Sequence, residues 1–123
     1  MSSIDHRNLP EGLECKDHTG AGYNCTHLFE GWRVAFLNYA DRFDTITYLE
    51  RHMLTDEVFV LLEGRAELWI GRDCVRVPMV PHKIYNVKKA VWHNIRVSRD
   101  AKVLIVENSE TAKENSEYIF FEK

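Results

Sequence analysis

The sequence lacks several features, and each absence removes a class of protein. No apolar run approaches the roughly 20 residues a helix needs to cross a bilayer, so no membrane span is expected. The 16 Lys and Arg are scattered and face 19 Asp and Glu. A phosphate-binding surface ordinarily leaves a basic stripe, so no nucleic-acid partner is expected either. The opening MSSIDHRNLPEGLE has neither a basic start nor an apolar stretch, and no secretory signal is read in it. Only three cysteines occur, Cys15, Cys25 and Cys74. An odd count without a signal predicts reduced thiols and a cytoplasmic location, not a disulfide framework. No helix-turn-helix pattern is present, and the one repeated word, ENSE, is too short to be architectural.

What remains is an ordinary globular composition, 45% hydrophobic in 123 residues with a net charge of −3. That length predicts one domain with a real core. Residues 1–31 carry Gly, His and Cys without sustained periodicity. They read as an N-terminal arm with room for one short strand, packing on the main body or on a partner subunit. Residues 32–123 read as that body. The segments WRVAFLNYA, DTITYLERHM, EVFVLLEG, RAELWIG, DCVRVPM, HKIYNV, AVWHNIRVS and AKVLIVEN each have strand length and composition. Turn-forming residues separate them, among them Thr55-Asp56, Gly64, Gly71-Arg72-Asp73 and Pro81. A helical turn and a final strand over Tyr118 to Phe121 close the chain. About eight short strands at close spacing predict an all-β sandwich or barrel of antiparallel strands.

Within YLERHMLTDEVFVLLEG, running from Tyr48 to Gly64, two carboxylates and an imidazole flank the apolar run VFVLL. Period-2 alternation puts Ile46, Tyr48, Glu50 and His52 on one strand face, and Val91, His93, Ile95 and Val97 on one face of another. Glu57 shares a face with Phe59 and Leu61. Glu50 and His52 stand roughly 7 Å apart along their strand. A tight turn at Thr55-Asp56 would return Glu57 to the neighbouring strand beside them, and His93 would arrive from a distant strand. Imidazole with carboxylate suits Fe, Mn, Ni, Co or Zn, often with a position open for substrate. Singly, each residue has a plainer reading: His93 as a hydrogen-bonded core histidine, Glu57 as a hairpin charge, and Glu50 with Arg51 as an exposed pair. Burying unpaired carboxylates is costly, so jointly they call for something cationic or hydrogen-bonding between them.

At these residues the chain resembles the cupin superfamily, specifically a small single-domain cupin. That family's first motif is two histidines separated by one residue, a glutamate four or five further on and then a glycine. Glu50-Arg51-His52, Glu57 and Gly64 keep that spacing, and VKKAVWHNI places His93 as the histidine of the second motif. The resemblance runs from about Trp32 to Glu107 and implies a jelly-roll β-barrel. It also implies a divalent transition metal on His52, Glu57, His93 and Glu50, a small-molecule ligand in the barrel, and a homodimer. Two departures stand out: Glu50 occupies the place of the first histidine, and Lys88-Lys89-Ala90 replaces a Pro-x-Gly turn. A carboxylate at position 50 shifts the metal preference, weakens the site or goes with loss of metal.

Three functions from different classes fit. The first is a metal-dependent isomerase, lyase or dioxygenase acting on a sugar or carboxylic acid, with Glu50 and Tyr48 as the residues that meet substrate. The second is a metal-free ligand-binding or sensing cupin, and the third an assembly protein with a vestigial pocket. Elsewhere, Cys15-x-x-His18 and Cys25-x-His27 offer four zinc-competent side chains at a spacing matching no zinc module. Cys74 reads as a strand residue, His82 as a turn residue, and Glu107 as an inward carboxylate near the metal candidates. Trp32, Trp69 and Trp92 read as outward-facing aromatics of a subunit interface.

Overall fold

The computed structural model describes residues 8–122. Within them the regular structure is ten strands and two short 3-10 turns. The strands are β1 (Gly22–Phe29), β2 (Trp32–Asn38), β3 (Tyr48–His52), β4 (Glu57–Glu63) and β5 (Ala66–Ile70), followed by β6 (Val75–Pro78), β7 (Tyr85–Val87), β8 (His93–Val97), β9 (Lys102–Asn108) and β10 (Ser116–Phe120). They form two five-stranded sheets, ordered β1-β2-β9-β4-β7 and β10-β3-β8-β5-β6, with every pairing antiparallel. The fold is therefore all-β, as the strand pattern predicts, and is the jelly-roll barrel that the family resemblance implies. Among the described residues no helix is long and apolar enough to cross a membrane.

Alternation builds the interior. Phe59 and Leu61 of β4, Val103 and Ile105 of β9, Ala35 and Leu37 of β2, Ile95 and Val97 of β8, and Ala66 and Leu68 of β5 are all buried in one cluster. Each is an every-second residue of its strand, so the inner faces interdigitate while intervening side chains meet solvent. Gly64 closes the β4–β5 connection at φ +73°, and a Cβ there would lie 2.7 Å from the Ala101 backbone. Both the left-handed backbone and the close approach demand glycine.

Residues 22–29, which sequence assigns to the arm, form edge strand β1 and pair with β2 along its length. Their periodicity is hidden because the register shifts between Cys25 and His27 and half of the strand is exposed. Cys74 is a turn residue at φ 52°, not a strand residue; the turn begun at Gly71 runs one residue further and β6 starts at Val75. His82 lies in a turn, as expected.

Candidate functional site

One end of the interior is polar. A cavity of about 220 Å³ there is lined by Tyr48, Glu50, His52, Glu57, His93 and Glu107, among others. The sheet register explains how they meet. Glu50 of β3 pairs with His93 of β8, and Glu57 of β4 pairs with Glu107 of β9 in the opposite sheet. The turn after β3 thus carries the chain across the barrel from one sheet to the other. Glu57 faces Glu50 and His52 across the interior, which corrects the expectation that it returns on a neighbouring strand.

Glu57 Oε1 sits 3.1 Å from His52 Nε2 and 3.0 Å from His93 Nε2, while Glu50 Oε1 is 3.5 Å from His52 Nε2. The two imidazoles meet edge to face at 5.2 Å. His93 Nδ1 donates to the Val91 carbonyl oxygen at 2.9 Å, and His52 Nδ1 is 2.9 Å from Ser116 Oγ. A carbonyl only accepts, so the proton on His93 Nδ1 is fixed and Nε2 is turned into the cavity. A bare Nε2 lone pair 3.0 Å from a carboxylate would be repelled. A proton or a cation therefore belongs between them.

The protonation energetics agree. Burial opposes charge on His52, but its hydrogen bonds to Glu50 and Glu57 outweigh it and hold the imidazole at a pKa of about 10. His93 is raised in the same way, burial being overcome by Glu57. Glu57, against its own burial, is pulled down to about 2 by the two histidines. Glu107 moves the other way. Burial and the Glu57 charge raise it, in spite of Arg33 and Tyr23.

The sequence expectations for this site divide into three. Tyr48, Glu50, His52, Glu57 and His93 are brought to one cavity, and one donor atom from each of Glu50, His52 and His93 lies within 4.8 Å of the others. His52, Glu57 and Glu107 form a second such group. Tyr48 packs against Phe120 at 5.5 Å and Tyr118 at 6.1 Å, at the cavity wall. The Cys15, His18, Cys25 and His27 set is not gathered into a metal-competent group among the described residues. His27 instead meets Lys16 Nζ at 3.0 Å.

Four residues went unread. Arg33 donates to Glu107 Oε1 through Nε (3.2 Å) and Nη2 (2.7 Å), and to the Thr111 carbonyl oxygen through Nη1 (3.1 Å). Tyr23 donates to the same Glu107 oxygen at 2.7 Å. Ser116 orients His52, and Thr111 lines the cavity. Arg33 alternates with Ala35 and Leu37, so its inward position was readable. Tyr23, Thr111 and Ser116 come from an edge strand and the C-terminal crossing, where no local pattern marks them.

No family model and no curated protein matches this chain in sequence. Solved structures do match in fold. A variant of Streptomyces PAC13 with uridine superposes at TM-score 0.66 over 88% of this chain and 87% of that one, at 8% identity. Pac13 is described as a nucleoside dehydratase. A cupin-2 domain protein from Shewanella frigidimarina matches at 0.60 over 75% and 84%, at 18% identity. KdgF from Halomonas sp. matches at 0.56 over 77% and 87%, at 10% identity. The chain is thus a small protein of the cupin fold, and identities this low carry the fold alone.

Proposed function

We propose that this protein binds a divalent transition metal at His52, His93, Glu57 and Glu50, together with a small polar metabolite in the adjoining cavity. The observation that carries the reading is Glu57 Oε1 standing 3.1 and 3.0 Å from the Nε2 atoms of His52 and His93, with Glu50 beside His52 and the His93 tautomer already set by Val91. This donor set fits the group, since imidazole and carboxylate are the ligands of Fe, Mn, Ni, Co and Zn.

When bound, the metal supplies a Lewis acid and an open coordination position, which serve isomerisation, elimination or dioxygen chemistry. The chain's own residues do the rest. Ser116 and the Val91 carbonyl hold the two rings in orientation. Glu50, the most exposed member of the set, stands where a carboxylate can meet substrate or accept its proton. Tyr48 offers a hydroxyl at the wall, and Phe59 packs edge to face on His93 to keep water from the inner side. The cytoplasmic location and the homodimer belong to the same proposal and rest on the sequence and the family resemblance; light scattering that shows a monomer overturns the latter.

A second reading is favoured by a specific observation. Glu57 Oε1 bridges both rings at hydrogen-bond distance, so protons on the two Nε2 atoms satisfy it without a metal. In that form the cavity is a metal-free binding or sensing site. Metal analysis of tag-free protein separates the two, alongside His52→Ala and His93→Ala. Near-stoichiometric metal in wild type, lost in both variants, is expected. Metal-free wild type would transfer the assignment to the second reading.

A further inference from the structure

Two buried polar atoms of the cavity wall, Glu107 Oε2 and Thr111 Oγ1, have no hydrogen-bond partner among the described residues. The Glu107 side chain is 3% exposed. Leaving a buried carboxylate oxygen unsatisfied is among the costlier omissions in a folded protein, so such an atom calls for a partner. The carboxylate cannot turn to relieve itself. Arg33 and Tyr23 place three donors on Oε1, and rotation would break all of them. Glu107 also stands directly opposite Glu57 on the neighbouring strand, where like charges destabilise a sheet. The arrangement is therefore expensive and rigid, and it stands in the cavity wall. Arg33 ties Thr111 to the same cluster by donating to its carbonyl oxygen.

We infer that Glu107 Oε2 and Thr111 Oγ1 form a hydroxyl-binding subsite, and that the ligand of this cavity is a neutral, hydroxyl-rich small molecule rather than a carboxylic acid. This rests on the reading that the cavity holds a small polar metabolite, and narrows its class. A carboxylate oxygen only accepts, and a ligand hydroxyl supplies the missing donor; the Thr111 hydroxyl both donates and accepts, which suits an adjacent hydroxyl. A ligand carboxylate brings no donor and adds a charge beside Glu50, Glu57 and Glu107. The Arg33 guanidinium that would welcome it is already committed to Glu107. Arg42 and Lys113 also line the cavity and give an acid an alternative anchor, so the experiment has to separate the two classes.

The test is calorimetric titration with D-ribose, D-glucose and uridine as neutral probes, and with D-glucuronate and lactate as acids. Wild type, Glu107→Gln and Thr111→Val are compared, each metal-loaded and chelator-treated. At least one neutral probe is expected to bind wild type more tightly than either acid. Glu107→Gln should weaken it about tenfold or more, as loss of a hydrogen bond to a charged group implies. Thr111→Val should weaken it by a smaller factor with thermal unfolding unchanged. Should Glu107→Gln fail to fold, Thr111→Val carries the comparison, because it keeps side-chain volume and the Arg33 contact. Preference for the acids, no neutral probe binding at millimolar concentration, or equal affinities in the folded variants would overturn the inference. So would loss of metal uptake on Glu107→Gln, which would make the free oxygen a metal ligand. Wild type that binds a neutral probe but no metal sinks the metal reading and leaves this one standing; metal uptake without neutral-probe binding does the reverse.

Discussion

The two ends of the barrel interior are built by the same strands and could hardly differ more. On β4 the inward residues run from Glu57 through Phe59 to Leu61; on β8 from His93 through Ile95 to Val97; on β9 from Glu107 through Ile105 to Val103. One end is closed by aliphatic contacts, with Leu61 and Val103 at 1% and 0% exposure. The other buries two carboxylates, Glu57 and Glu107, and two imidazoles around a cavity that Glu50 and Arg33 also line. The apolar end gains from every group it buries, whereas the polar end spends part of that gain on desolvating charge. Stability and chemistry are thus segregated along the length of each strand, not assigned to different strands.

That contrast can be broken at either end. The largest effect is expected at the apolar one. Leu61→Ala should cost about 2–5 kcal/mol in chemical denaturation through lost burial and a residual cavity. Metal content per folded molecule should stay as in wild type; a drop would mean the two ends are mechanically coupled.

The polar end should reveal itself next, through pH. In chelator-treated protein His52 has its pKa raised from 6.5 to about 10. A raised imidazole stabilises the fold fully below its unfolded value and loses that contribution as pH climbs through the folded value. Denaturation midpoints should therefore fall between pH 6.5 and about 10, and His52→Gln should flatten the fall. Glu57 acts at the other edge: its pKa is lowered from 4.5 to about 2, so its stabilisation holds above 4.5 and fades as pH drops toward 2. A profile identical in wild type and His52→Gln would remove the ion pair from the account.

The smallest expected effect sharpens the division. Ser116→Ala removes the hydroxyl beside His52 Nδ1, a loss of about 1 kcal/mol in stability. Metal affinity measured by competition with a chelator should weaken by roughly 10- to 100-fold, the usual scale for a group that orients a ligand. Stability lost with affinity intact would make Ser116 a packing residue only.

Much of this was legible beforehand, and the reason is local. Alternation needs only the strand itself, so the inward facing of His93, of Glu50 with His52, and of Glu57 with Phe59 and Leu61 could be read directly. Gly64 was legible as a turn residue, but the Ala101 backbone that excludes a side chain there was not. The one short strand allowed within residues 1–31 could not be bounded as β1, because a bulge breaks its period and solvent covers its outer face. Cys74 was misplaced because a turn of four residues and the start of a strand look alike over so short a stretch.

By itself the sequence determined the two-residue period, the turn punctuation and the set of side chains aimed inward, since these depend on neighbours along the chain. Only the tertiary structure decided which of them meet. That Glu57 reaches the histidines from the opposing sheet, and that Arg33 and Tyr23 hold one oxygen of Glu107 while leaving the other free, follows from strand order and barrel closure. Those pairings join residues as many as 84 positions apart, and no periodicity carries information over that distance.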